Sequence, residues 1–136
     1  MPHFGLTSRK RLDTCHADLQ AIFNEVVKGF DCAILCGHRD EVGQMLAYES
    51  GKSQLAWPNS KHNTFPSMAV DVAPWPLDWN DRGAFYMLAG YVMCTADRLR
   101  EAGVITHSIR YGGDWNGNHN TRDQKLIDLP HFELKP

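Results

Sequence analysis

Two separate stretches of this 136-residue chain carry side chains suited to a single catalytic centre. The first, Ser60-Lys61-His62-Asn63-Thr64-Phe65-Pro66-Ser67-Met68-Ala69-Val70-Asp71, sets an imidazole and a carboxylate on either side of a turn. The second, Asp128-Leu129-Pro130-His131-Phe132-Glu133-Leu134, adds another imidazole between two acids. Catalytic zinc takes three protein ligands and keeps a fourth position for water. His62, Asp71 and His131 make up such a set. A spare acid, Asp128 or Glu133, is then available to take a proton from the water and return one to the leaving amine. Glu133 lies two residues from His131, which in a strand puts both on one face. Taken singly, either His would be an ordinary polar loop residue; the set of three is what points to a metal. Asp71 adds to this, because a carboxylate inside an apolar strand needs a partner or a cation.

Several elements are needed to bring these residues together. Leu12, Leu19, Ile22, Phe23, Val26 and Val27 recur at helical spacing, predicting a helix capped by Asp13 or Thr14 and ended by Gly29. Cys32–Cys36 is a short apolar run that suits a buried strand, with Arg39 just past its end. A helix is expected over Glu41–Glu49, packing through Met45, Leu46 and Tyr48 and stopped by Gly51. Residues 52–59 form a loop that delivers His62, and Met68–Ala73 reads as a strand closed by Pro74 and Pro76. The longest helix starts at Asn80 or Asp81 and runs to about Ala102. Phe85, Leu88, Val92, Ala96 and Leu99 mark one face, and Tyr86, Met87, Tyr91 and Met93 suggest burial of the other. Thr106–Tyr111 reads as a strand ended by Gly112-Gly113, Asp114–Asp128 as a polar loop bordering a site, and Phe132–Leu134 as a last strand.

The segments Gly37-His38-Arg39, Ser60-Lys61-His62-Asn63, Ala69-Val70-Asp71-Val72-Ala73-Pro74, Tyr111-Gly112-Gly113-Asp114-Trp115 and His131-Phe132-Glu133-Leu134 follow one another in a familiar order. From about Arg39 onward the chain resembles the zinc D,D- and L,D-peptidases of bacterial cell walls, and is most similar to the short phage L-alanyl-D-glutamate endolysins. It departs from other branches in the gap between His62 and Asp71, which holds Phe65-Pro66-Ser67 where a shorter, Gly-containing gap is common. The resemblance implies zinc on His62, Asp71 and His131. It also implies Asp128 as catalytic acid/base, with Glu133 as a partner that orients an imidazole. Arg39 would bind substrate or steady the developing oxyanion, a task for an always-charged forked donor. Ser60 would contact substrate or equally cap the turn. The implied fold is α+β: a small domain with helices packed on a short, mainly antiparallel sheet bearing a zinc cleft. The implied partner is the peptidoglycan stem peptide, cut between L-alanine and D-glutamate by a monomeric enzyme of phage-driven host lysis. The alternatives are a D-alanyl-D-alanine carboxypeptidase or dipeptidase of the same family and a non-catalytic wall-binding module. Two His and a carboxylate also hold iron in oxygenases, usually as His-x-Asp within an all-β fold, and neither feature is present here.

Composition narrows the field further. A formal charge of −2 and a pI near 6.4 leave no global basic field, which disfavours nucleic acid as partner. The first ten residues lack the apolar centre of a secretory signal, and no window reaches the length of a membrane span. The expectation is a chain held in the host cytoplasm until lysis and acting then on the wall. Its length suits one peptidase domain over residues 1–136 without a wall-binding module. Cys32 and Cys36 resemble half a metal site, but no second pair follows. Asp114, Asn116 and Asn118 start like a calcium loop, which fails where His119 replaces Gly and Lys125 replaces Glu.

Overall fold

The computed structural model describes residues 2–136. The elements run α1 (Leu6–Leu12), α2 (Ala17–Gly29), β1 (Cys32–Cys36), α3 (Glu41–Glu49), a 3-10 turn (Lys61–Asn63), β2 (Ala69–Pro74), α4 (Arg82–Glu101), β3 (Ile109–Tyr111) and β4 (His131–Leu134). Among the described residues the strands form one antiparallel sheet in the order β1-β2-β4-β3. The arrangement is the small α+β fold expected from the sequence.

Strand alternation sorts the side chains. Val70 and Val72 of β2, Phe132 and Leu134 of β4, and Ile109 and Tyr111 of β3 enter one buried cluster with the apolar faces of α2 and α4. Phe132 sits at its centre, edge-on to Phe23 (centroids 5.5 Å apart) and stacked on Tyr111 (4.9 Å). The residues between them, Asp71, His131, Glu133 and Arg110, therefore share the opposite face. Register sets Asp71 across from His131 and Arg110 across from Glu133. The same two-residue period thus builds the core and lines up the polar groups.

Helix α1 was not anticipated. Only Leu12 of it is buried, so it has little apolar signature, and Leu12 belongs here rather than to the next helix. Asp13 is the C-cap of α1, and α2 is capped by His16, whose Nδ1 accepts from the Asp18 N–H at 2.9 Å. Helix α1 also closes the free edge of β1: Ser8 Oγ accepts from the Ile34 N–H at 3.0 Å, and Arg11 donates to the Ile34 carbonyl at 3.0 Å. An unpaired strand edge invites another chain, and these contacts occupy it.

Three expectations are corrected. β3 is shorter than Thr106–Tyr111, because the N–H groups of Thr106 and His107 turn instead to Asp18 Oδ2, at 3.1 Å each. The second face of α4 is buried only in part: Tyr86 and Met93 pack against the core, while Met87 and Tyr91 are exposed. Helix α3 has the anticipated bounds, yet Leu46 and Tyr48 are exposed and its one residue buried, among those described, is Gln44.

The Asp18 carboxylate ties the start of α2 to the approach of β3. Burial opposes its charge, but hydrogen bonds from the His107 ring and from the two backbone N–H groups outweigh this and lower its pKa. A depressed carboxylate stabilises the fold above its unfolded pKa, here 3.8, and that stability is lost as pH falls through the folded value. Asp18→Asn is therefore expected to lower the melting temperature at neutral pH and to reduce its further fall below pH 3.8, measured by thermal melts across that range.

Candidate active site

The seven residues singled out from the sequence, Arg39, Ser60, His62, Asp71, Asp128, His131 and Glu133, all line one cleft of about 770 Å³. Each arrives by a different local device. Arg39 follows β1 after Gly37, where a Cβ would run into the Arg11 carbonyl and the Thr14 hydroxyl. Ser60 caps the 3-10 turn: its Oγ accepts from the His62 N–H at 3.2 Å, while Asn63 Oδ1 accepts from the Ser60 N–H at 3.0 Å. Asp71 and His131 face each other across β2 and β4. Asp128 is held by Gly112, whose carbonyl accepts from the Asp128 N–H at 2.9 Å and whose own N–H donates to the His131 carbonyl at 2.8 Å. A Cβ at Gly112 would strike the Asp128 backbone, so only glycine lets the two segments come this close.

Hydrogen bonds assign the protons on both rings. His62 Nδ1 lies 2.7 Å from the Gly37 carbonyl, which can only accept, so Nδ1 carries a proton and Nε2, 3.4 Å from Asp71 Oδ1, is the nitrogen left to ligate a metal once its own proton is released. His131 Nε2 lies 2.9 Å from Glu133 Oε1, which leaves Nδ1 free 3.2 Å from the same Asp71 Oδ1 and 3.9 Å from Asp128 Oδ2. The ring centroids are 5.3 Å apart. In the cleft two trios hold metal-ligating atoms mutually within 4.8 Å, Cys36-His62-Asp71 and Asp71-Asp128-His131, and they meet at Asp71. Arg39 Nη2 lies 3.7 Å from Asp71 Oδ2.

A model of the phage L-alanyl-D-glutamate peptidase family matches residues 2–135. The chain belongs to that family. It is accordingly a peptidase that acts on peptidoglycan. Its fold is similar to that of the Serratia marcescens L-Ala D-Glu endopeptidase ChiX, with a TM-score of 0.73 and 24% identity over 98% of this chain and 91% of that one. No curated protein matches it.

In this peptidase the two acids near His131 sit in opposite electrostatic settings. Burial raises the Asp128 pKa and the nearby Asp71 charge adds to it, although part of the side chain reaches solvent. Burial would also raise Glu133, but hydrogen bonds from His131 and Lys61 outweigh it and hold the carboxyl below its usual range. Lys61 Nζ lies 3.1 Å from Glu133 Oε2, and Arg110 Nη1 lies 3.8 Å from the same atom. The Asp71 pKa falls well below the carboxylate range, because the two imidazoles more than offset its burial. Burial of His62 disfavours its charge, yet Asp71 and Cys36 carry its pKa up to about 10.

The peptidase also brings Cys36 to His62, where the sequence set it only beside Cys32. A bulge between Ile34 and Cys36 shifts the register, so that Cys36 pairs with Asp71 and puts its sulfur 3.9 Å from His62 Nδ1. Alternation alone would have kept Cys36 beside Cys32, and a bulge leaves no mark in composition. Trp79 and Trp115 line the cleft, Trp115 with its ring 5.3 Å from that of His131. The loop that begins like a calcium site satisfies itself: Asp114 Oδ2 accepts from the His119 N–H, Asn116 Oδ1 from Asn118 and Asn118 Oδ1 from Asn120.

Proposed function

We propose that this peptidase hydrolyses the amide between L-alanine and D-glutamate in the peptidoglycan stem, using zinc held by His62 Nε2, His131 Nδ1 and Asp71. The observation that carries the reading is the pairing of the two rings. Each spends one nitrogen on a fixed acceptor, Gly37 O or Glu133, and turns its other nitrogen, the one available to a metal, to the same Asp71 oxygen. Tetrahedral zinc with ligands at about 2.0–2.1 Å sets them roughly 3.3–3.4 Å apart, and the two ring-to-carboxylate separations are 3.4 and 3.2 Å. Each ring therefore matches zinc against Asp71, and because the groups that close within 4.8 Å take Asp71 with one ring or the other, a shared ion needs the two rings to draw closer. Glu133, fixed by Lys61 and Arg110, orients His131 as an outer partner does in such sites.

Bound zinc supplies Lewis acidity to the scissile carbonyl and lowers the pKa of a water. Asp128 takes the proton from the attacking water and passes it to the leaving D-glutamate nitrogen. Its raised pKa suits both halves of that transfer better than the depressed, doubly paired Glu133 does. Arg39 lies close enough to Asp71 to meet the oxyanion or a substrate carboxylate, and Ser60 at the cleft wall offers a hydrogen bond to the peptide. The residues 1–136 work as one peptidase unit and as a monomer, reaching the wall from the host cytoplasm once the inner membrane is breached.

Digestion of purified peptidoglycan tests the bond. New L-alanine carboxyl ends and D-glutamate amino ends in equal amounts are expected. Release of free D-alanine without new L-alanine ends would instead assign a D-alanyl-D-alanine carboxypeptidase. Metal analysis of active protein is expected to find zinc; iron would overturn the hydrolytic centre.

A further inference from the structure

Gln44 is fully buried on a helix whose larger apolar side chains, Val42, Leu46 and Tyr48, face solvent. Its amide reaches three segments that line the cleft. Oε1 accepts from Arg39 Nη1 at 3.0 Å and from Asn63 Nδ2 at 3.0 Å. Nε2 donates to Ser53 Oγ at 3.0 Å and to the Leu55 carbonyl at 2.6 Å. Every hydrogen-bonding valence of the amide is therefore used. Asn63 Nδ2 also donates to the Arg39 carbonyl at 3.1 Å, and the Arg39 N–H donates to the His62 carbonyl at 2.8 Å, so Arg39 is fixed to the His62 turn along its backbone too. Gly43, one residue before, leaves room for the Arg39 stem: a Cβ there would meet Arg39 Cγ at 3.1 Å.

We propose that Gln44 is a positioning residue that aims the Arg39 guanidinium into the cleft and joins it to the His62 turn and the 53–55 loop, so that the oxyanion donor and the cleft wall formed by that loop keep one geometry. This rests on the reading of Arg39 given above. The guanidinium also donates from Nη2 to Cys36 Sγ at 3.6 Å, a weak bond to sulfur, and lies 3.7 Å from Asp71 Oδ2, beyond a normal hydrogen bond. Without Gln44 the fork keeps only the weak bond from Nη2 to sulfur as a neutral anchor. It would then swing onto the Asp71 carboxylate and leave the face that substrate approaches.

A double-mutant cycle tests the coupling, using Gln44→Met, Arg39→Ala and the double variant, with kcat and KM on soluble muropeptides, zinc content and melting temperature as readouts. Gln44→Met is expected to lower kcat/KM about 10- to 100-fold with zinc retained, and to cause no further loss in the Arg39→Ala background. Gln44→Glu keeps the acceptor for Arg39 and Asn63 while losing the bond to Leu55 O. It should recover most of kcat and leave KM raised, and it serves as the cycle partner should Gln44→Met not fold. A purely structural role predicts a lower melting temperature with kcat/KM of the folded protein at the parent value, which would overturn the inference. Losses that multiply in the double variant, while Arg39→Ala is itself impaired, would overturn it alone. An unimpaired Arg39→Ala would overturn it together with the role of Arg39.

Discussion

Asp128→Asn is expected to lower kcat by about 10²–10⁴, the range general acid–base groups contribute, while zinc content and KM stay near the parent values. The amide is isosteric and cannot carry the transferred proton, so the cleft keeps its shape and loses one step. Asp128 lies 3.9 Å from His131 Nδ1, outside bonding distance, and its segment is fastened through Gly112 rather than through the carboxylate itself. Loss of the charge should therefore leave the fold intact. Steady-state kinetics on muropeptides with parallel metal analysis reads both quantities. If Asp128→Asn stayed within about tenfold of the parent while Glu133→Gln lost turnover, the proton carrier would be Glu133.

The second large effect belongs to the imidazoles. Replacing either His62 or His131 by Ala removes a ring nitrogen available to the metal and leaves the buried Asp71 carboxylate short of a partner. Zinc affinity should fall by more than about 100-fold, beyond what the loss of an outer partner alone produces, and activity should drop to background at micromolar metal. Chelation of the parent should mimic the variants, and added zinc should restore only the parent. A ligand that binds the folded state alone stabilises it by about 2.7 kcal/mol at a hundredfold excess over Kd. Zinc should accordingly raise the melting temperature of the parent and leave that of His131→Ala nearly unmoved. Full zinc binding by either variant would remove that histidine from the ligand set.

Much of the architecture was legible because it depends on local pattern. The alternation in Ala69–Pro74 and His131–Leu134 separates core from cleft residues within each strand, and α3 ends where Gly51, at a φ of 80°, stops it. The meeting of Asp71 with His131 is a matter of register between segments 60 residues apart. No local pattern specifies that pairing, and the family motifs supplied it. Features that break a period were missed for the same reason. The bulge brings Cys36 to His62, a histidine caps α2, and α3 is held by one amide where an apolar stripe was expected. Each replaces the common device with a polar contact, and polar contacts carry no periodicity.

The order of the strands has a consequence for when activity can arise. β4 is the last element in sequence yet lies inside the sheet, between β2 and β3. Until it inserts, Asp71 faces an empty lane, and neither His131 nor the Asp128 segment has a place to dock. An emerging or clipped polypeptide thus lacks half of its reacting groups however well its helices have formed. Such non-local pairing is slow relative to helix formation, so the reacting groups come together only once the sheet has closed.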